Sequence, residues 1–150
     1  MVEMGTVEMG ESGYSGTPLV RKLGMRGGQS ALLLGVPDDL TDIAGFPGFS
    51  RCETAVDGPA SRRHDYIHVF AVERAKLEAL ALPLAASLKA DGMMWISWPK
   101  RASKVPTTLT EDVLREIFLP LGLVDTKVCA VDAVWSGLKF MFRKDVRADL

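Results

Sequence analysis

Cysteine is scarce in this chain: Cys52 and Cys129 are the only two. Two thiols are too few for the disulfide framework that staples small secreted domains, so free thiols in a reducing cytoplasm are expected. A surplus of charge of either sign is missing as well. The 18 basic and 19 acidic side chains leave a formal net charge of -1. That balance argues against general binding to nucleic acid or to an anionic membrane, and leaves room only for a local patch. Long apolar runs are also absent. The longest, Ala79 to Leu88, is interrupted by Pro83 and Ser87 and is about half of the ~20 residues a membrane helix needs. The acidic N-terminus lacks the basic stretch and apolar core of a secretory signal, so the expected location is cytoplasmic.

What remains is the composition of an ordinary folded domain, with 47% hydrophobic and 25% charged residues in a chain of 150. That length buries a substantial core. Residues 1–15 read as a flexible arm, residues 16–145 as a single domain and residues 146–150 as a tail. In the arm, Val2-Glu3-Met4-Gly5 recurs as Val7-Glu8-Met9-Gly10, two copies too short to mark a structural repeat.

The stretch Met93-Met94-Trp95-Ile96-Ser97-Trp98-Pro99 organises the rest. In an extended chain Met93, Trp95 and Ser97 share one face, and Met94, Ile96 and Trp98 share the other. Both faces are largely apolar, which predicts a strand covered on both sides at the centre of a sheet. Asp91-Gly92 reads as the turn before it, and Pro99 as its end. Gln29 to Val36 and Asp65 to Val72 read as further strands, with a weak edge strand at Arg51 to Val56. Residues 57–63 read as a loop. Thr17 is expected to cap a short helix that buries Leu19, Val20 and Leu23. Asp38-Asp39 is expected to cap another. Glu73 to Leu82 reads as helix, and Pro83 is expected to split it from a second helix running to Lys89. Thr110 is a good cap for a helix carrying Val113, Leu114, Ile117, Phe118 and Leu121, with Leu109 stapled to Leu114. Val124 to Asp132 and Leu138 to Arg143 read as an antiparallel hairpin. Alternating strands and helices predict an α/β fold: three layers, with a mostly parallel sheet flanked by helices and a C-terminal hairpin.

Leu88-Lys89-Ala90-Asp91-Gly92-Met93-Met94-Trp95-Ile96-Ser97 resembles the passage into the fifth strand of class I methyltransferases, and Asp65-Tyr66-Ile67-His68-Val69 resembles the strand before it. More closely, the chain is similar to an uncharacterised family of short bacterial proteins known as a domain of unknown function. That similarity covers about residues 13–143. It is carried by Gly13-Tyr14-Ser15-Gly16-Thr17-Pro18-Leu19-Val20, by Ser97-Trp98-Pro99-Lys100 and by Val128-Cys129-Ala130-Val131-Asp132 with Trp135-Ser136-Gly137. The resemblance implies a truncated, Rossmann-like methyltransferase fold and brings no established activity. One departure bears on function. The first strand of active methyltransferases is followed by a glycine-rich turn that lets the backbone approach the cofactor. Here the turn is Leu34-Gly35-Val36-Pro37-Asp38-Asp39. Pro37 lacks an amide donor, and two aspartates repel a carboxylate. The acidic residue expected after the second strand has only Glu53 and Asp57 as stand-ins, and the span up to Asp65 is too short for two full strand-helix units.

Gly35, Asp38, Glu73 and Trp98 are the candidate cofactor contacts, with S-adenosylmethionine the cofactor the resemblance implies. Trp98 reads either as a stacking platform or as a core residue. Lys100, Arg101 and Lys104 lie past the end of the central strand, where open α/β sheets bind ligands. They read as an anion site or as a solvated basic loop. No metal site is expected: His64 and His68, four apart on a strand, span ~13 Å. Asp132, Trp135 and Ser136 read as a turn, Cys129 as a buried thiol, and residues 14–17 as a helix lead-in or a lid. Two functions are open. One is a non-catalytic binding or regulatory module, with a protein partner or a second copy as occupant. The other is a small enzyme binding S-adenosylmethionine or a nucleotide.

Overall fold

The computed structural model describes residues 18–56 and 61–150. The expected N-terminal arm, the Thr17 cap, the lead-in at residues 14–17 and Asp57 lie outside the described residues. Within them the elements follow as α1 (Leu19–Lys22), β1 (Ser30–Leu34), α2 (Thr41–Ala44), β2 (Arg51–Glu53) and β3 (His64–Phe70). Next come α3 (Arg74–Ser87), β4 (Leu88–Pro99), α4 (Glu111–Phe118), β5 (Leu123–Ala130), β6 (Trp135–Phe142) and α5 (Lys144–Arg147).

The six strands form one sheet in the order β2-β1-β3-β4-β6-β5. Strands β2, β1, β3 and β4 run parallel, and β6 turns the sheet antiparallel by pairing with β4 and β5. Two cores lie on its two faces, as the alternation of the central strand requires. Met94, Ile96 and Trp98 join Leu32, Ile67 and Val69 beneath α3 and α4. Trp95, with Met93 packed alongside, joins Ala31, Leu33, Tyr66 and Phe70 beneath α1 and α2. The result is a three-layer α/β fold of the truncated class I methyltransferase type, closed by the expected antiparallel hairpin.

Local chemistry accounts for most element ends. The Thr110 Oγ1 accepts a hydrogen bond from Val113 N at 3.1 Å, satisfying one orphan donor of α4. Leu109 and Leu114 are both buried beneath that helix start. Three expectations are corrected. Asp38 and Asp39 do not cap α2: its N-cap is Leu40, whose amide instead donates to Pro37 O at 3.0 Å. Pro83 does not split α3, which runs unbroken through it. The missing proline amide leaves the carbonyl of Ala79, four residues back on the exposed face, without its helical donor. Buried Leu77, Ala81, Leu84 and Ala85 meanwhile form one stripe across the proline.

Asp91-Gly92 does not form the expected turn. Strand β4 starts at Leu88, and both residues lie inside it. The pairing of β3 with β4 shifts register between His64 and Tyr66. A Cβ on Gly92 would stand 3.0 Å from His64 O and 3.2 Å from Asp65 O, so glycine serves the irregular pairing by letting backbone approach backbone.

Candidate functional site

The register puts Gly35, Phe70 and Ser97 on one row at the C-terminal ends of β1, β3 and β4. Leu34 pairs with Val69, and Phe70 pairs with Ser97. The turn after β1 starts here. Gly35 has φ 71°, in the left-handed region, and a Cβ there would lie 2.8 Å from Phe70 O. The glycine therefore fits the turn against the end of the neighbouring strand. Asp38 and Asp39 are exposed beyond it. The Phe70 ring stacks on His68 at 4.4 Å and meets the edge of Trp135 at 5.1 Å between centroids.

The other sequence candidates are spread around this row. Glu73 is exposed and precedes α3 without capping it by its side chain, and its nearest cation is Lys76 Nζ at 4.0 Å. Trp98 is only 8% exposed and belongs to the core beneath α3 and α4. Past β4, residues Arg101–Ser103 form a 3-10 turn that ends on Lys104 at φ 63°. Lys100 is half-buried, its amide donating to Val134 O at 2.7 Å, while Arg101 and Lys104 are exposed. Asp132 Oδ1 accepts from the amides of Val134 and Trp135 at 2.8 and 2.7 Å, which makes it a turn former. Burial pushes the Cys129 thiol up, away from the thiolate form.

The two histidines serve different places. His64 is 1% exposed at the start of β3. Its Nδ1 shares a hydrogen bond with Ser30 Oγ at 3.2 Å, and its Nε2 lies 3.3 Å from Glu53 Oε1 without the alignment of a hydrogen bond. Burial lowers its pKa, against an opposing pull from Glu53. Glu53 is itself held by Arg63 at 2.8 Å, which keeps its carboxyl below the usual range.

His68 is fully buried. Its Nε2 shares a 2.7 Å hydrogen bond with Ser97 Oγ, and its Nδ1 lies 3.3 Å from the Tyr66 hydroxyl. Desolvation drives its pKa down to about 3, so the imidazole is neutral at physiological pH. Sequence reasoning missed this Tyr66–His68–Ser97 chain. The signal was one polar residue on the inward face of each of two neighbouring strands, legible only once their register is known. Among the described residues no group of three His, Cys, Asp or Glu side chains is placed to hold a metal ion. Among the same residues no helix is long and apolar enough to cross a membrane.

No protein-family model matches the chain, and no curated protein matches it in sequence. Solved structures do share its fold. It is similar to magnesium protoporphyrin IX methyltransferase from Synechocystis PCC 6803, solved with bound S-adenosylmethionine. There the TM-score is 0.56 at 11% identity, over 83% of this chain and 74% of that one. It is also similar to an S-adenosylmethionine-dependent methyltransferase from Aquifex aeolicus, with TM-score 0.55 at 14% identity, over 83% of this chain and 88% of that one. At such identities the likeness defines a class, the methyltransferase-like Rossmann fold, and carries the architecture alone.

Proposed function

We infer that the chain is a non-catalytic binding or regulatory module built on a methyltransferase-like scaffold. The observation that carries this reading is the turn after β1. Its glycine is taken up by contact with the backbone of the next strand, where an added Cβ would lie 2.8 Å from Phe70 O. Cofactor turns need successive small residues and free amides facing the ligand. Here Val36 and Pro37 follow, with two exposed carboxylates behind them. The basic loop at Lys100, Arg101 and Lys104 remains the anion-recognising part of the surface, at the strand ends where ligands of open α/β sheets sit.

The competing reading, a small enzyme that binds S-adenosylmethionine through Gly35, Asp38, Glu73 and Trp98, draws support from the fold shared with methyltransferases. Thermal unfolding with added ligand separates the two, because a ligand bound only to the native state raises the melting temperature. Neither S-adenosylmethionine nor S-adenosylhomocysteine is expected to shift it at millimolar concentration. A saturable rise with either one would overturn the non-catalytic reading.

A further inference from the structure

Lys127 of β5 and Lys139 of β6 are directly opposite one another in the hairpin. Like charges in that position repel and destabilise the pair. A third lysine belongs to the same corner: Lys127 Nζ donates to the backbone carbonyl of Lys22 at 3.4 Å, which sets the end of α1 against this part of the sheet. Lys139 is half-buried, and burial together with the charge on Lys127 pulls its pKa down. The charges of Lys22 and Lys127 both reach the Cys129 thiol, where they oppose the larger upward effect of burial. Among the described residues no carboxylate pairs with any of these three lysines. The acids nearest in sequence are otherwise engaged, Asp125 by Arg115 at 3.1 Å and Asp132 by its own turn.

The segment joined to this corner has the opposite sign. Residues 1–17 contain Glu3, Glu8 and Glu11 and no lysine or arginine. They lead into Pro18, directly before α1, whose last residue is Lys22. Glu11 is seven residues from Pro18, a separation that an extended chain bridges over ~23 Å. Met4, Val7 and Met9 alternate with or flank these glutamates, and the hairpin offers partly exposed apolar side chains in Val124 and Met141. Attachment through Pro18 makes the encounter intramolecular, at an effective concentration no free acidic peptide reaches easily.

We propose that the Lys22–Lys127–Lys139 corner is the docking surface for the chain's own acidic N-terminal segment, whose glutamates neutralise the opposed lysines of the hairpin. The test is zero-length carbodiimide coupling of the full-length chain, which joins a carboxylate to an amine only where they touch, followed by peptide mapping. Cross-links from Glu3, Glu8 or Glu11 to Lys22, Lys127 or Lys139 within one molecule are expected, well above any to exposed Lys104 and Lys144. They should fall in 1 M salt, where the Debye length is about 3 Å. They should vanish in the Glu3→Gln, Glu8→Gln, Glu11→Gln variant, with backbone amide shifts at residues 127–129 and 137–139. Equal coupling to Lys104 and Lys144, coupling only between molecules, or unmoved amides in the variant would each overturn the proposal.

Discussion

Burial strips water from the His68 imidazole and leaves it two neutral partners, Ser97 Oγ and the Tyr66 hydroxyl. The unfolded side chain takes its proton near the ordinary value of 6.5, whereas the folded one resists until about 3. Between those values the unfolded state holds more protons, so stability must fall as pH falls. His64, also shifted down by burial, contributes with the same sign. Chemical denaturation at pH values from about 7 to about 5, above the carboxylate range, should show stability declining, with a slope approaching ~1.4 kcal/mol per pH unit for one histidine. A flat profile across that window would contradict the buried neutral assignment. The residue scale was the least legible in advance. His64 and His68 could be dismissed as a metal pair from strand geometry, but their partners Ser30 and Ser97 lie 34 and 29 positions away.

At the scale of elements, α3 shows packing overriding propensity. Pro83 costs the helix one hydrogen bond, yet Leu77, Ala81, Leu84 and Ala85 hold both sides of it against the sheet. Replacing Pro83 by Ala restores the donor and removes the clash one turn back. Part of that gain is offset because the unfolded chain becomes freer. Stability is expected to rise by about 1 kcal/mol, out of the ~3 kcal/mol that separates the two residues in helix propensity. Urea denaturation measures it, and a loss of stability would show that the proline is an element of the packing. The start of β4 carries the same lesson. Ala90-Asp91-Gly92 has turn composition, but β4 runs on through it as the extra residues of an irregular pairing, with Leu88 opposite His64 and Met93 opposite Tyr66. By contrast, α4 obeyed its local signals, since a capping threonine and an amphipathic stripe specify the same helix.

For the molecule as a whole, β2 and β5 are the outermost strands of the sheet among the described residues, and both are blunted. Strand β2 is three residues long and carries exposed Arg51. Strand β5 is longer, but a register shift separates Asp125 from Lys127, and Lys127 itself is exposed on the edge. Bulges and edge lysines both discourage pairing with a second sheet. Homo-oligomer formation through the terminal hairpin is therefore disfavoured by the edge it would use. Light scattering of the wild-type chain should give a mass independent of concentration. Lys127→Val should introduce concentration-dependent association, because it removes the charge and leaves exposed Val128 beside a new apolar neighbour. Association of the wild type through β5 would refute the argument.

The sequence by itself determined the layered α/β class, the central strand with its two apolar faces and the closing hairpin, because period-two alternation and turn chemistry act over a few neighbouring residues. It also placed a proline and two aspartates in the turn after β1. Only the tertiary structure decided that α3 continues through Pro83, that Gly35 is pressed against Phe70 O and that His68 shares a hydrogen bond with Ser97. It alone brought Lys22, Lys127 and Lys139 to one corner. These are consequences of strand register and of contacts between residues far apart in the chain, and no local pattern encodes the energy of a contact whose second partner is unknown.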